Sequence, residues 1–236
     1  MMQLTNINDR DVMVKSSKNT AAQILEALTG DILEGKYLPG EKLHIKALKE
    51  RYEVGTSPLR EALSQLITKD LVVSENQRGF YVSDISIDDL EDIYQARAKI
   101  EALCVEMAIK KGDDYWEANC LAAMHRLNKC SGAESINLRE WQKRHSAFDS
   151  DLVAGCASPR LLQIRQSLFE KSTRYRNLWL KENVSNADTL GVNQQEHTAL
   201  LNLVIERDVK GATELIETHI LTPVAIIKKH YLEIFM

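Results

Sequence analysis

The chain has 236 residues, 44% hydrophobic and 27% charged, with a net charge of -4. These are ordinary globular values, and the length suits two domains better than one small one. No run of about 18 apolar residues is present, so no segment is expected to span a membrane, and the polar opening MMQLTNINDRDV lacks the apolar core of a signal peptide.

Residues 1–17 are polar and aperiodic, and a flexible N-terminal arm is expected there. From Thr20, Ala21, Ile24, Leu25, Leu28, Ile32 and Leu33 repeat at helical spacing, and Gly35 is a stop signal. Leu38-Pro39-Gly40 is turn chemistry, followed by a short helix over about His44 to Arg51. A further helix is expected from about Thr56 to Lys69, with Leu59, Ala62, Leu63 and Leu66 on one face and Pro58 in the first turn, where a missing N–H costs little. Leu71-Val72-Val73, a polar turn through Gln77, Arg78 and Gly79, and Phe80-Tyr81-Val82 read as a β-hairpin.

Beyond Ser83 the character changes. Ser86 can cap a helix whose buried face carries Ile93, Ile100, Cys104 and Met107. Helices follow at about 113–130, 136–155, 158–183, 193–207 and 208–234, separated by Gly112, Ser131-Gly132, Gly155, Asn183 to Asn186 and Asp208. The expected fold is mainly α: a winged helix-turn-helix over 18–84, then an antiparallel bundle of about six helices over 85–236. Cys104, Cys120, Cys130 and Cys156 form no CxxC pair and read as reduced thiols of a cytoplasmic protein.

Charge is spread unevenly. Residues 15–82 carry a small positive excess and the remainder a negative one, which permits DNA binding by the first part without requiring it. The helix beginning at Thr56 offers the Thr56 and Ser57 hydroxyls, unpaired N–H groups and Arg60, the groups that hold phosphates and read base edges. Lys46 on the preceding helix suits a backbone contact, and Arg78 and Gly79 at the hairpin tip suit approach to a groove. The pattern DILEGKYLPGEKL, LKERYEV, GTSPLREALSQLITKDLV and GFYV resembles the GntR family of regulators, with Gly55-Thr56 where that family often has Ser-Arg. The resemblance implies that this helix is the recognition helix of a dimeric regulator binding double-stranded operator DNA, most often as a repressor.

Four side chains in the second half suit a metal. His145 and Asp149 are one helical turn apart, and His197 and His219 lie on two later helices. Two or three imidazoles with a carboxylate suit Zn²⁺, Ni²⁺ or a similar divalent transition ion, although a histidine on an apolar helix face is more often simply packed. ARAKIE, HSAFD, EHTALLNLVIERD and ATELIETHI resemble the all-helical FCD sensing domain of the FadR-type branch of the family, with the usual Asp-x-x-x-His inverted to His145-x-x-x-Asp149. The resemblance implies a metal on these four residues and a small carboxylate effector beside it. Such a ligand wants an arginine. Arg97, which interrupts an apolar face, is the first candidate; Arg174 and Arg176 of STRYRNLW follow, with Tyr175 and Trp179 as walls. Within the family, SPLREALSQL, RHSAFDSDLVAGC, TRYRNLWL and HILTPVAII are similar to a carbon-starvation repressor type, which implies a dicarboxylate of the glutarate kind.

Two other readings compete. A metal-dependent enzyme would want HExxH or paired Glu-x-x-His motifs, but Glu41 to His44 is a lone copy outside the bundle, and no nucleophile elbow or phosphate loop appears. A metal-binding interaction protein without DNA binding has only the acidic net charge and the Gly55-Thr56 departure in its favour.

Overall fold

The structure is a computed structural model that describes residues 20–76, 78–131, 138–183 and 187–235, with side chains at 131, 138–139, 178–183, 187–192 and 230–235 left aside. The expected arm at 1–17, Gln77 in the hairpin turn, and the side chains of Trp179 and His230 lie outside the described residues.

The first unit contains α1 (Ala21–Leu33), β1 (Lys42–Leu43), α2 (Ile45–Arg51), α3 (Thr56–Thr68), β2 (Val72–Glu75) and β3 (Gly79–Val82). Thr20 caps α1 through a capping box: its hydroxyl accepts from the Gln23 N–H, while the Gln23 side chain accepts from the Thr20 N–H. Ile24, Leu28 and Ile32 then fall on one stripe and bury against Leu59, Ala62, Leu63 and Leu66 of α3. The expected hairpin forms, but it gains a third strand. The sheet order is β1-β3-β2, all antiparallel, with Lys42 opposite Tyr81 and Leu43 opposite Phe80. At the wing tip Gly79 has φ +114, a conformation that side chains rarely adopt.

One ionic cluster ties α1 to α2. The Asp31 carboxylate accepts from Lys36 Nζ at 2.6 Å, Arg51 Nη2 at 2.8 Å and the Tyr52 hydroxyl at 2.7 Å. Burial on its own raises the Asp31 carboxyl, but Lys36, Tyr52 and Arg51 outweigh it and hold it below the ordinary carboxylate range.

The second unit contains α4 (Ile87–Lys111), α5 (Asp114–Ser131), α6 (Leu138–Ala154), α7 (Pro159–Asn183), α8 (Ala187–Ile205) and α9 (Val209–Phe235). Six helices match the expected bundle, with α8 starting earlier than its periodicity suggests. Ser86 caps α4, accepting from the Asp89 N–H at 3.0 Å. Gly112 ends α4 against Trp116, whose ring would lie 2.0 Å from an added Cβ. Helix α4 is the central member, packed against α6, α7, α8 and α9. Each unit has its own apolar core, one around Leu28 and Leu63, the other around Tyr94, Val105 and Phe148.

Asp31 generates the first prediction. Asp31→Ala is expected to lower stability by about 1–3 kcal/mol in urea unfolding at pH 7, the usual worth of hydrogen bonds to a charged group. Because the folded carboxyl is depressed, its contribution is complete above about pH 4 and disappears as pH falls through the folded value. The gap between the two proteins should therefore close in acid; a gap of unchanged size at pH 2 would contradict the assignment.

Candidate functional site

Two surfaces carry chemistry, one exposed and one buried. The exposed one is the start of α3. Thr56, Ser57 and Arg60 all face solvent, and the N-cap Gly55 makes no side-chain cap, so the first N–H groups of the helix stay open. Lys46, Gly55 and Thr56 line one open depression between α2 and α3, together with Lys49, which the sequence reading did not single out. Arg78 is exposed at the wing tip, 3.5 Å from Glu75. Gly79 follows it, with Lys42 alongside and stacked over Tyr81 at 5.5 Å. The six expected DNA-facing residues thus lie on α2, on the start of α3 and on the wing, the elements that meet a duplex in a winged helix-turn-helix.

The buried surface lies inside the bundle. His145 of α6, His197 of α8 and His219 of α9 converge until their ligand atoms all lie within 4.8 Å of one another. His197 sits between the other two, with ring centroids 4.6 Å away on both sides. Asp149, one turn after His145, joins them: its Oδ2 is 3.4 Å from His145 Nδ1 and its Oδ1 is 3.9 Å from His197 Nε2. The inverted His-x-x-x-Asp order therefore still delivers both side chains to the cluster.

Electrostatics keep this set ready for a cation. Burial pushes the His145 imidazole down to about 4 despite the neighbouring Asp149 carboxylate, and burial depresses His197 as well. Both rings are neutral near pH 7 and their lone pairs are available. Burial alone raises the Asp149 carboxyl, but His145, His197, Arg165 and Arg97 overcome it and hold the group ionised. His219 Nδ1 is 2.6 Å from Glu196 Oε2, a carboxylate–imidazole pair that leaves Nε2 for a metal. Both ring nitrogens of His197 and Nδ1 of His145 are buried without a hydrogen bond. Buried polar atoms are seldom left so, and a metal would satisfy them.

Beside the histidines is a group of arginines. Arg97 of α4 is buried and reaches α7, donating from Nη1 to Ser172 Oγ at 3.2 Å. Arg176 is half-buried, with its Nε out of reach of solvent and without a hydrogen bond; desolvation and the facing Arg97 both lower its affinity for the proton. Arg165 was not anticipated. It is 3% exposed, donates from Nε to Glu101 Oε2 at 2.9 Å, and leaves Nη2 without a hydrogen bond. All three guanidiniums lie 5.0–5.6 Å from the centre of the Phe169 ring. Tyr94 adds a buried hydroxyl without a partner.

Two expected effector residues are elsewhere. Arg174 donates to the Ser83 carbonyl, on the first unit's side of α7. The Tyr175 hydroxyl is 2.6 Å from Asp89 Oδ2 and 3.3 Å from the Ser86 carbonyl, at the start of α4. Consecutive residues of a helix point about 100° apart, so of Arg174, Tyr175 and Arg176 only Arg176 joins the buried arginine cluster at Phe169.

Comparison with known proteins places both units. Residues 20–82 match the bacterial regulatory proteins of the gntR family, and residues 92–222 match the FCD domain. The chain is 44% identical over 205 residues to the HTH-type transcriptional repressor GlaR of Escherichia coli strain K12, covering 86% of this chain and 93% of that protein. It is 29% identical over 222 residues to the HTH-type transcriptional regulator BphR of Paraburkholderia xenovorans strain LB400, covering 92% and 89%. The solved structure of E. coli McbR/YncC superposes with a TM-score of 0.75 at 19% identity, over 89% of this chain and 98% of that one, a likeness of fold.

Metal content gives the next prediction. His197→Ala combined with His219→Ala should abolish bound metal by elemental analysis. Glu196→Gln should retain the site but weaken Zn²⁺ affinity by about 10–100-fold, the usual effect of losing a carboxylate behind a histidine ligand. Unchanged zinc affinity in Glu196→Gln would show that the Glu196–His219 pair does not orient a ligand.

Proposed function

Because this chain belongs to the GntR family and carries an FCD domain, and is a transcription regulator rather than an enzyme, we propose that its operator affinity is set by a small carboxylate bound in the buried histidine–arginine cavity beside a divalent metal. The observation that carries the proposal is the set of buried polar atoms with no hydrogen bond in one place: His145, His197, Arg97, Arg165, Arg176 and Tyr94 all contribute. Each such atom costs free energy unless a ligand meets it. A core built only for packing would hold apolar side chains here.

His145, Asp149, His197 and His219 would hold Zn²⁺ or Ni²⁺, ions suited to imidazole and carboxylate donors. When bound, the metal supplies a Lewis-acid position for an anionic oxygen. The protein's own groups do the rest. Arg97, Arg165 and Arg176 supply positive charge, Tyr94 and Ser172 supply hydroxyls, and Phe169 supports the three guanidiniums.

Charge selects the ligand class. Three arginines are matched in number by three carboxylates: Glu101 pairs with Arg97 and Arg165, Asp149 stands against His145 and His197, and Glu196 pairs with His219. A divalent cation then leaves a surplus of two. A dicarboxylate cancels it and a monocarboxylate leaves half, which supports a dicarboxylate of the glutarate type. Burial makes the difference matter, because uncompensated charge is costly away from water.

On the DNA side, Thr56, Ser57 and Arg60 read the major groove, Lys46 holds a phosphate, and Arg78 and Gly79 bring the wing to the backbone. Two copies pairing about a two-fold axis would present two recognition helices to a near-palindromic operator. The relative of 44% identity is named a repressor, which favours repression here, with the regulator acting on double-stranded DNA.

Two measurements test the proposal. Arg60→Ala should weaken binding to a duplex selected from a random pool by the wild-type chain, by roughly 5–150-fold for a lost base contact of about 1–3 kcal/mol, with unchanged thermal stability. Wild-type affinity in that variant removes Arg60 from the interface. In a thermal-shift series, glutarate and succinate should stabilise the zinc-loaded chain, acetate and butyrate much less, and a chelator should cancel the effect. Equal stabilisation by monocarboxylates, or stabilisation that survives chelation, would sink the metal–dicarboxylate reading.

A further inference from the structure

Helix α7 has two working faces. At about 100° per residue, Arg165, Phe169, Ser172 and Arg176 form one stripe, and this stripe faces the buried polar cluster and Arg97 of α4. Gln163, Ser167, Glu170, Arg174 and Asn177 form a second stripe on the roughly opposite face, and this one meets the DNA-binding unit. Gln163, Ser167 and Glu170 line a groove of about 300 Å³ against Thr68, Lys69 and Leu71. Lys69 Nζ is 3.1 Å from Glu170 Oε2, and Lys171 Nζ is 2.6 Å from Asp70 Oδ2. Arg174 donates to the Ser83 carbonyl. The ion pairs and the Arg174 bond are polar, while Leu33, Val82 and Ile85 line the same seam beside Arg174 and Asn177. A partly polar, partly exposed seam is the kind of interface that shifts between alternative placements.

Asn177 is the joint in this seam. Its Nδ2 donates to the Leu33 carbonyl at the end of α1, at 2.8 Å. Its Oδ1 accepts from Gln142 Nε2 on α6, at 3.2 Å. Gln142 lies one turn before His145 on the helix that carries the metal-facing residues. A single amide thus connects the cavity helix α6, the two-faced helix α7 and the DNA-binding unit. Its two bonds use both ends of one planar group, so a rotation of α7 or a shift of α6 loosens at least one of them.

We propose that α7 transmits occupancy of the buried cavity to the DNA-binding domain, with Asn177 as the positioning residue that links them. A ligand drawing Arg97, Arg165 and Arg176 together pulls on the inner stripe. The rigid helix carries that displacement to the outer stripe, and the first unit moves with Leu33, Asp70 and Ser83. The proposal rests on the cavity taking a ligand, but it assigns the route, which the ligand's identity does not settle.

The experiment uses the full chain and a duplex selected from a random pool by the wild type. In a ligand-free double-mutant cycle, duplex affinity is measured for wild type, Arg97→Leu, Asn177→Ala and the double variant. Coupling between the two positions by about threefold or more supports transmission through α7, because residues with no shared partner should otherwise add. Additivity overturns it. If Arg97→Leu does not fold, Ser172→Ala takes its place in the same cycle. A second arm uses Zn²⁺ alone. Wild type should change its duplex affinity by about fivefold or more on zinc loading, within the usual range of coupling. Asn177→Ala should take up the same zinc by elemental analysis, yet change its duplex affinity by less than about twofold. A full zinc response in Asn177→Ala overturns the proposal. Absence of zinc from the wild type overturns the metal reading instead, and the cycle then decides the route by itself.

Discussion

Everything in the second unit is arranged around charge that has been taken out of water. Arg97, Arg165 and Arg176 gather at one phenyl ring, Glu101 is shared between two of them, and Asp149 stands against two neutral imidazoles. Such a group is a poor way to stabilise a fold, since desolvation can cost more than the ion pairs return. Stability comes instead from the apolar contacts of α4 with α6, α7, α8 and α9. The polar cavity is a cost that the surrounding core offsets, and a bound cation and anion would relieve it. This is why the cavity reads as a sensor: its free energy depends on what is in it.

The DNA-binding unit shows the opposite economy. Its core is apolar, and the one buried charge among its described residues, Asp31, has three partners. The open start of α3 and the wing are its exposed polar surfaces. The two units keep separate apolar cores, and ion pairs and hydrogen bonds along α7 join them. A seam of this kind holds one arrangement without forbidding another, as a switch requires.

Much of this was legible in the sequence, for identifiable reasons. The stripe of Leu59, Ala62, Leu63 and Leu66, the Ser86 cap and the Pro39-Gly40 turn are local signals, and local structure obeyed them. His145 and Asp149 were legible as a pair one helical turn apart, and the resemblance to the FCD domain strengthened their grouping with His197 and His219. Strand β1 was missed because two residues carry no period; it exists only because β3 offers an edge. Arg165 and Glu101 resemble an ordinary helix-surface pair in a linear reading, and their burial depends on how α4 and α7 cross. Glu196 was passed over beside His197, although its partner is His219, 23 residues away. Arg174 and Tyr175 were grouped with Arg176 by adjacency, where the helical turn assigns the three residues three directions.

The central claim is that the buried cavity and the DNA-binding surface belong to one linked equilibrium, and linkage is reciprocal. Isothermal titration of glutarate into zinc-loaded protein, free and saturated with its selected duplex, tests this most directly. The account requires that duplex changes glutarate affinity by the same factor by which glutarate changes duplex affinity. Identical glutarate affinity in the two states, or no binding in either, would contradict it.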